Sequence, residues 1–188
     1  MAELPHAAAR LEAVLDRPRD VGFGAAHGLE QRLAEGESGD PLLRPDARQA
    51  LISRILPLAL VVTPNLPEAE ALSGISVTGR EGMEEAARRI HALGPRHVLV
   101  KGGHLEGDAL DLLWDGRDFT ELSVPRVDSP NTHGTGCTFS AAIVAGLALG
   151  QSLLEAVRRA KAYVTRAIQE GFQAGRGVGQ LRHFLTDW

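Results

Sequence analysis

From about Ser38 onward, the apolar positions switch repeatedly between two periods. "PDARQALISRIL" (45–56) has helical spacing. "LALVVTP" (58–64) is a short unbroken apolar run stopped by Pro64, the pattern of a strand buried on both faces. "EGMEEAARRIHALG" (81–94) is helical again and closes on Gly94 and Pro95. "HVLVKGG" (97–103) is a second buried strand that runs into glycines, and "DALDLLWDGRDFTELSV" (108–124) predicts two strands joined at Asp115-Gly116. "CTFSAAIVAGLALG" (137–150) is apolar and rich in small residues, which suits a helix lying close to a neighbour. "SLLEAVRRAKAYVTRAIQEG" (152–171) is the clearest helix. Ser152 and Glu155 have capping-box spacing, Leu153, Val157, Ala160, Val164 and Ile168 share a face, and Gly171 ends it. Strands alternating with helices predict an α/β sandwich on a mainly parallel sheet. Residues 1–37 read differently: helices are plausible at 4–16 and 26–35, a glycine-rich stretch separates them, and no strand pattern is present. The expected organisation is an atypical segment 1–37 followed by a domain over 38–188.

Charge and cysteine content narrow the function. The formal net charge of the 188 residues is -4, without a long run of one sign, which argues against nucleic acid as a partner and leaves room for a local anion site. One cysteine cannot form an internal disulfide, so a reducing compartment is expected. The N-terminus lacks the apolar core of a signal peptide and no stretch could span a bilayer, so the expectation is a cytoplasmic protein with no membrane partner.

Three short segments carry candidate chemistry. In "NTHGTGCT" (131–138), Gly134 and Gly136 allow a tight turn and close approach of a ligand, and a helix beginning near Cys137 would aim unpaired N–H groups at an anion. The same position favours the thiolate form of Cys137, which would then be a base beside a phosphate cradle. The alternative is a glycine turn followed by a buried small hydrophobe. In "TPNLPEAE" (63–70), Asn65 and Glu68 either form a helix capping box or sit at a strand's C-terminal end, where a carboxylate can hold Mg²⁺ beside nucleotide phosphates. Lys101, ending the strand "HVLVK", either neutralises phosphate oxygens or reaches into solvent. A parallel sheet gathers strand ends on one edge, so together the segments suggest phosphoryl transfer from a nucleotide.

With "SGDPLL", "LPLALVVTPNLPEAEALSG", "HVLVKGGH" and "NTHGTGCTFSAAIVAGLALG", the chain resembles the phosphomethylpyrimidine (hydroxymethylpyrimidine) kinases of the ribokinase-like superfamily. The resemblance implies a ribokinase-like three-layer sandwich. It also implies MgATP-dependent phosphorylation of 4-amino-5-hydroxymethyl-2-methylpyrimidine and then of its monophosphate, in thiamine biosynthesis. By resemblance, Glu68 is the Mg²⁺ residue; Asn65, Lys101 and Thr132 serve the nucleotide; Gly134, Thr135 and Gly136 form the anion hole; and Cys137 replaces the aspartate base of most ribokinase-like enzymes. The partners implied are a small pyrimidine, a nucleotide and a second copy of the chain in a homodimer.

Two departures stand out. Residues 1–37 lack the family's "AGSDPSGGAG"-like segment, so the family domain is N-terminally incomplete or replaced here. Low stability or self-association, weak nucleotide binding and still weaker phosphorylation are expected of such a chain. The family's C-terminal "GHGP"-like segment reads "GVGQ" (177–180). Rival readings are another ribokinase-like small-molecule kinase, for hydroxyethylthiazole or pyridoxal, and a non-catalytic remnant that binds only nucleotide or a partner.

Overall fold

The computed structural model describes residues 45–103, 107–173, 175–177 and 179–185. The expected segment 1–37, its helices and "SGDPLL" lie outside the described residues. In chain order the elements are α1 (Pro45–Ala50), β1 (Val61–Val62), α2 (Leu66–Ser73), α3 (Gly79–His91), β2 (His97–Gly102), β3 (Ala109–Trp114), β4 (Phe119–Val124), α4 (Thr135–Ala148) and α5 (Leu153–Gln169). They fall into two compact units. One comprises the described residues up to Leu99 together with Trp114–Asp118, and the other comprises Val100–Leu113 with the described residues from Phe119 on.

In the first unit, the helix expected over 45–56 keeps α geometry only to Ala50, widens over Leu51–Ile55 and tightens over Leu56–Leu58. Pro57 explains the change: it lacks an N–H for the helical ladder and its ring collides with the carbonyl four residues back. The tight turn consumes the start of the strand expected over 58–64, leaving Val61 and Val62 to pair in parallel with His97 and Val98. The core combines Met83, Ala86, Ala87 and Ile90 of α3 with Ala69 of α2 and with Val98 and Leu99, all without solvent contact. At roughly 1.5–3 kcal/mol per large apolar side chain, this burial is what holds α3 in place. Its outer face carries Arg80–Glu84 and Arg89–Glu85 pairs at i,i+4 spacing.

In the second unit, β2 continues into Val100, Lys101 and Gly102, followed by β3 and β4. The strand order is β1-β2-β3-β4. Trp114 and Phe119 are joined by a tight turn in which Asp115 N–H donates to the Asp118 carbonyl, as the Asp115-Gly116 signal predicts. The links from β2 to β3 and from β3 to β4 are too short for parallel crossovers, so these pairs are antiparallel. The α/β class is as expected; the described part of the sheet is mixed, with one parallel pair beside the hairpins. α4 and α5 pack on each other. Gly146 permits the close approach: a Cβ there would lie 2.9 Å from that of Ala156. The buried face of α5 is Ala156, Val157, Ala160, Lys161, Val164 and Ala167, which places one charged residue inside the apolar stripe.

Candidate active site

The turn before α4 is built around Gly134. Its φ of 83° and ψ of -1° put it in the left-handed region, where a side chain would be strained, and it forms the N-cap with no side-chain cap bond. The Thr132 carbonyl accepts from both the Thr135 N–H (3.2 Å) and the Thr135 hydroxyl (2.5 Å), which closes the turn. The Thr132 side chain is exposed. The helix starts at Thr135, two residues before the expected point, so Gly136 and Cys137 lie in its first turn. Their N–H groups are among those that a helix leaves without internal acceptors. Cys137 is exposed and its thiol is free, which overturns the alternative of a buried small hydrophobe.

Lys101 reaches this turn. A Cβ on Gly136 would lie 3.3 Å from Lys101 Nζ, so the missing side chain is what admits the ammonium. Both the ammonium and the positive end of the helix dipole therefore bear on one spot, and no acidic residue occupies the first turn of α4. Such a place accepts an anion.

The turn is also supported from behind. Asn131 is buried, and its N–H donates to Ser129 Oγ (3.1 Å). Its side chain fills the space where Gly171 and Gly179 lack one. Phe172 and Gln180 exchange two backbone bonds (3.0 and 2.8 Å), so Gly179 and Gln180 lie against the start of the 131–138 turn.

Asn65 and Glu68 belong to the first unit, and there they form a complete capping box. Asn65 Oδ1 accepts from the Glu68 N–H (2.8 Å) and Glu68 Oε2 accepts from the Asn65 N–H (2.9 Å). The capping geometry weighed in the sequence is thus present, and Glu68 Oε1 is left without a hydrogen bond among the described residues.

One pair escaped the sequence reading. Asp111 on β3 and Lys161 on α5 form an ion pair of 2.6 Å with side chains only 8% exposed, and Asp111 Oδ1 also accepts the N–H of Gly102, the residue after Lys101 (3.2 Å). Burial pushes the Asp111 carboxyl above its ordinary range, against the opposing pull of Lys161, the Gly102 N–H and Lys101. The available signal was Lys161 itself, one turn from Val157 on the apolar stripe of α5.

The described residues thus define an α/β protein in which a strand-end lysine stands at the glycine-capped start of a helix. More particularly, the chain belongs to the phosphomethylpyrimidine kinase family, whose model matches residues 35–182. It is 44% identical over 182 residues to a hydroxymethylpyrimidine/phosphomethylpyrimidine kinase of Streptomyces coelicolor, covering 97% of this chain and 64% of that protein. It is 51% identical to the thiamine biosynthesis bifunctional protein ThiED of Geobacter sulfurreducens, covering 80% of this chain and 31% of that one. Among solved structures it resembles a Bacillus subtilis pyridoxal kinase in an ADP complex (TM-score 0.72, 44% identity, 76% of this chain and 56% of the other). It also resembles a Clostridium difficile phosphomethylpyrimidine kinase (TM-score 0.60, 40% identity, 73% and 55%). The chain thus spans about one third to two thirds of the length of these relatives. Membership of the family is as the sequence led one to expect. Among the described residues, no helix is long and apolar enough to cross a membrane.

Proposed function

We propose that this chain carries the phosphate-handling part of an ATP-dependent kinase acting on 4-amino-5-hydroxymethyl-2-methylpyrimidine and its monophosphate. The observation that carries the reading is the Lys101 ammonium at Gly136, beside the exposed thiol of Cys137, in a helix start that contains no acid of its own. The names of the relatives supply the substrate class, and the ADP complex of the pyridoxal kinase supports nucleotide use.

In this reading, Lys101 and the N–H groups of Gly136 and Cys137 hold the transferring phosphoryl group, where charge stabilisation contributes most. Gly134 and Thr135 shape the turn that presents them, and Thr132 closes it. The hydroxymethyl oxygen bonds to the γ-phosphorus as the bond from that phosphorus to the β–γ bridging oxygen breaks. ADP leaves, and the hydroxyl proton passes by way of the Cys137 sulfur to solvent. In the second transfer a phosphate oxygen is the nucleophile and no proton need move.

Asn65 and Glu68 serve the nucleotide, as the family resemblance implies. Glu68 fits Mg²⁺ through water, because Oε1 is uncommitted while Oε2 keeps the helix cap. No group of three or more metal-binding side chains occurs among the described residues, so phosphates and water would complete the shell. When bound, the ion neutralises phosphate charge. A homodimer is part of the proposal.

The test is ADP release on the purified chain with the pyrimidine, its monophosphate and pyridoxal, beside a nucleotide titration. Turnover with the two pyrimidines is expected to be detectable but slow, since the chain covers only part of its relatives' length. A pyridoxal reading is favoured by the structural likeness to pyridoxal kinases, and turnover with pyridoxal alone would establish it in place of the first. Absence of both turnover and nucleotide binding would overturn the kinase reading.

A further inference from the structure

Behind the strand end that carries Lys101 lies one buried ion pair, Asp111 with Lys161. Both oxygens of Asp111 are committed, Oδ2 to Lys161 Nζ at 2.6 Å and Oδ1 to the Gly102 N–H at 3.2 Å. Gly102 follows Lys101 directly, so a buried carboxylate lies next to the strand end that carries the site's ammonium. Lys101 Nζ itself makes no hydrogen bond or ion pair among the described residues; it stands against Gly136 instead. A buried ion pair adds little net stability compared with apolar residues of the same size, so stability alone does not account for a lysine inside the apolar face of α5. Its charge has a local consequence. An unneutralised Asp111 would attract Lys101 and compete with any anion at the turn.

We propose that Lys161 neutralises Asp111 and thereby reserves the Lys101 ammonium for the phosphate group at the start of α4. Asp111 and Lys161 are positioning residues: Asp111 fixes the backbone at Gly102, and Lys161 cancels the charge that this fixing brings in. This rests on reading the turn as a phosphate site, and it adds two residues to that site which touch neither nucleotide nor acceptor. The buried setting of the pair matters, because charges in a low-dielectric interior interact far more strongly than in water. Burial pushes the Asp111 carboxyl above its ordinary range, and Lys161, the Gly102 N–H and Lys101 pull against that push, so these groups are electrostatically linked.

The experiment compares the wild type with Lys161→Met, Asp111→Asn and the double variant Asp111→Asn/Lys161→Met. Acylation of Lys101 by a small amine reagent at alkaline pH is followed by mass spectrometry, alongside melting curves. Lys161→Met should slow acylation of Lys101 several-fold, because Asp111 then holds its ammonium. Asp111→Asn should speed it, because the Lys161 charge is then uncancelled, while the asparagine oxygen still accepts from Gly102. The double variant should return to the wild-type rate. A purely structural pair would shift both single variants in the same direction, and that result would overturn the proposal, as would an unchanged rate in every folded variant. If Lys161→Met does not fold, Asp111→Asn and the double variant decide by the same signs. Affinity for inorganic pyrophosphate, measured on the same proteins, should fall in Lys161→Met and recover in the double variant. A wild type that does not bind pyrophosphate would sink the phosphate reading of the turn, while the acylation rates would still decide what the pair does to Lys101.

Discussion

α2 and α5 begin in one way and α4 begins in another. Asn65 with Glu68, and Ser152 with Glu155, close their helix starts from both sides, so each positive helix end meets a carboxylate of the chain itself. α4 starts on a left-handed glycine with no side-chain cap and no acid in its first turn, and an ammonium stands there too. A cation at a helix N-terminus is unfavourable unless an anion arrives. The first kind of start contributes stability; the second forgoes it, which on the proposed reading leaves a place for the phosphate.

The largest effect should come from Lys101→Ala. Losing a charged partner costs about 1.5–3 kcal/mol, or roughly one to two powers of ten in affinity, so nucleotide binding should fall by that much in a calorimetric titration. The melting temperature should not fall with it, because the ammonium opposes the helix dipole when no anion is bound. A matching loss of stability would make Lys101 a structural residue. Gly134→Ala should cost about 1–2 kcal/mol in denaturant unfolding, since alanine is strained at this φ, and should also weaken nucleotide binding by distorting the turn. Unchanged stability would mean that the turn relaxes freely.

Capping and ligand roles separate at Glu68. Glu68→Gln keeps an acceptor for the Asn65 N–H, so melting should hold while Mg²⁺-dependent nucleotide binding weakens several-fold. The opposite balance would leave Glu68 as a cap only. At the other closed start, Ser152→Ala should cost about 1 kcal/mol and leave nucleotide affinity unchanged. The smallest effect concerns pH. Bonds from the Ser152 hydroxyl and N–H hold the Glu155 carboxyl below its ordinary range. A carboxylate depressed in the folded state contributes stability above its unfolded pKa of about 4 and loses it as pH falls through the folded value. Glu155→Gln should therefore flatten the acid limb of the stability curve below about pH 4, and an unchanged limb would show that the bonds are not kept in solution.

These contrasts were unevenly legible in the sequence. Ser152 and Glu155 announced their helix because capping is local and three residues suffice to encode it. The hairpin at Asp115-Gly116 was legible for the same reason. The start of α1 was legible but its course was not, since Pro57 acts on a helix that the apolar spacing alone would continue. The strand expected over 58–64 shrank to Val61 and Val62 because pairing depends on a distant partner at His97 and Val98. For the site, "HGTGCT" pointed to the open helix start, while Lys101 taken alone read more readily as a strand-end lysine reaching solvent. Their meeting at Gly136 required the fold. The Asp111–Lys161 pair stayed hidden because its members lie 50 positions apart and each looks ordinary in its own segment.

The central claim is that the start of α4 binds nucleotide phosphate, and the single cysteine of the chain reports on it directly. Alkylation of Cys137 by iodoacetamide can be timed with and without MgATP and with pyrophosphate alone. The account predicts that both ligands slow the reaction in proportion to occupancy and that Lys101→Ala abolishes the protection. An alkylation rate indifferent to nucleotide, at concentrations where an independent titration shows the nucleotide bound, would place the phosphates elsewhere and contradict it.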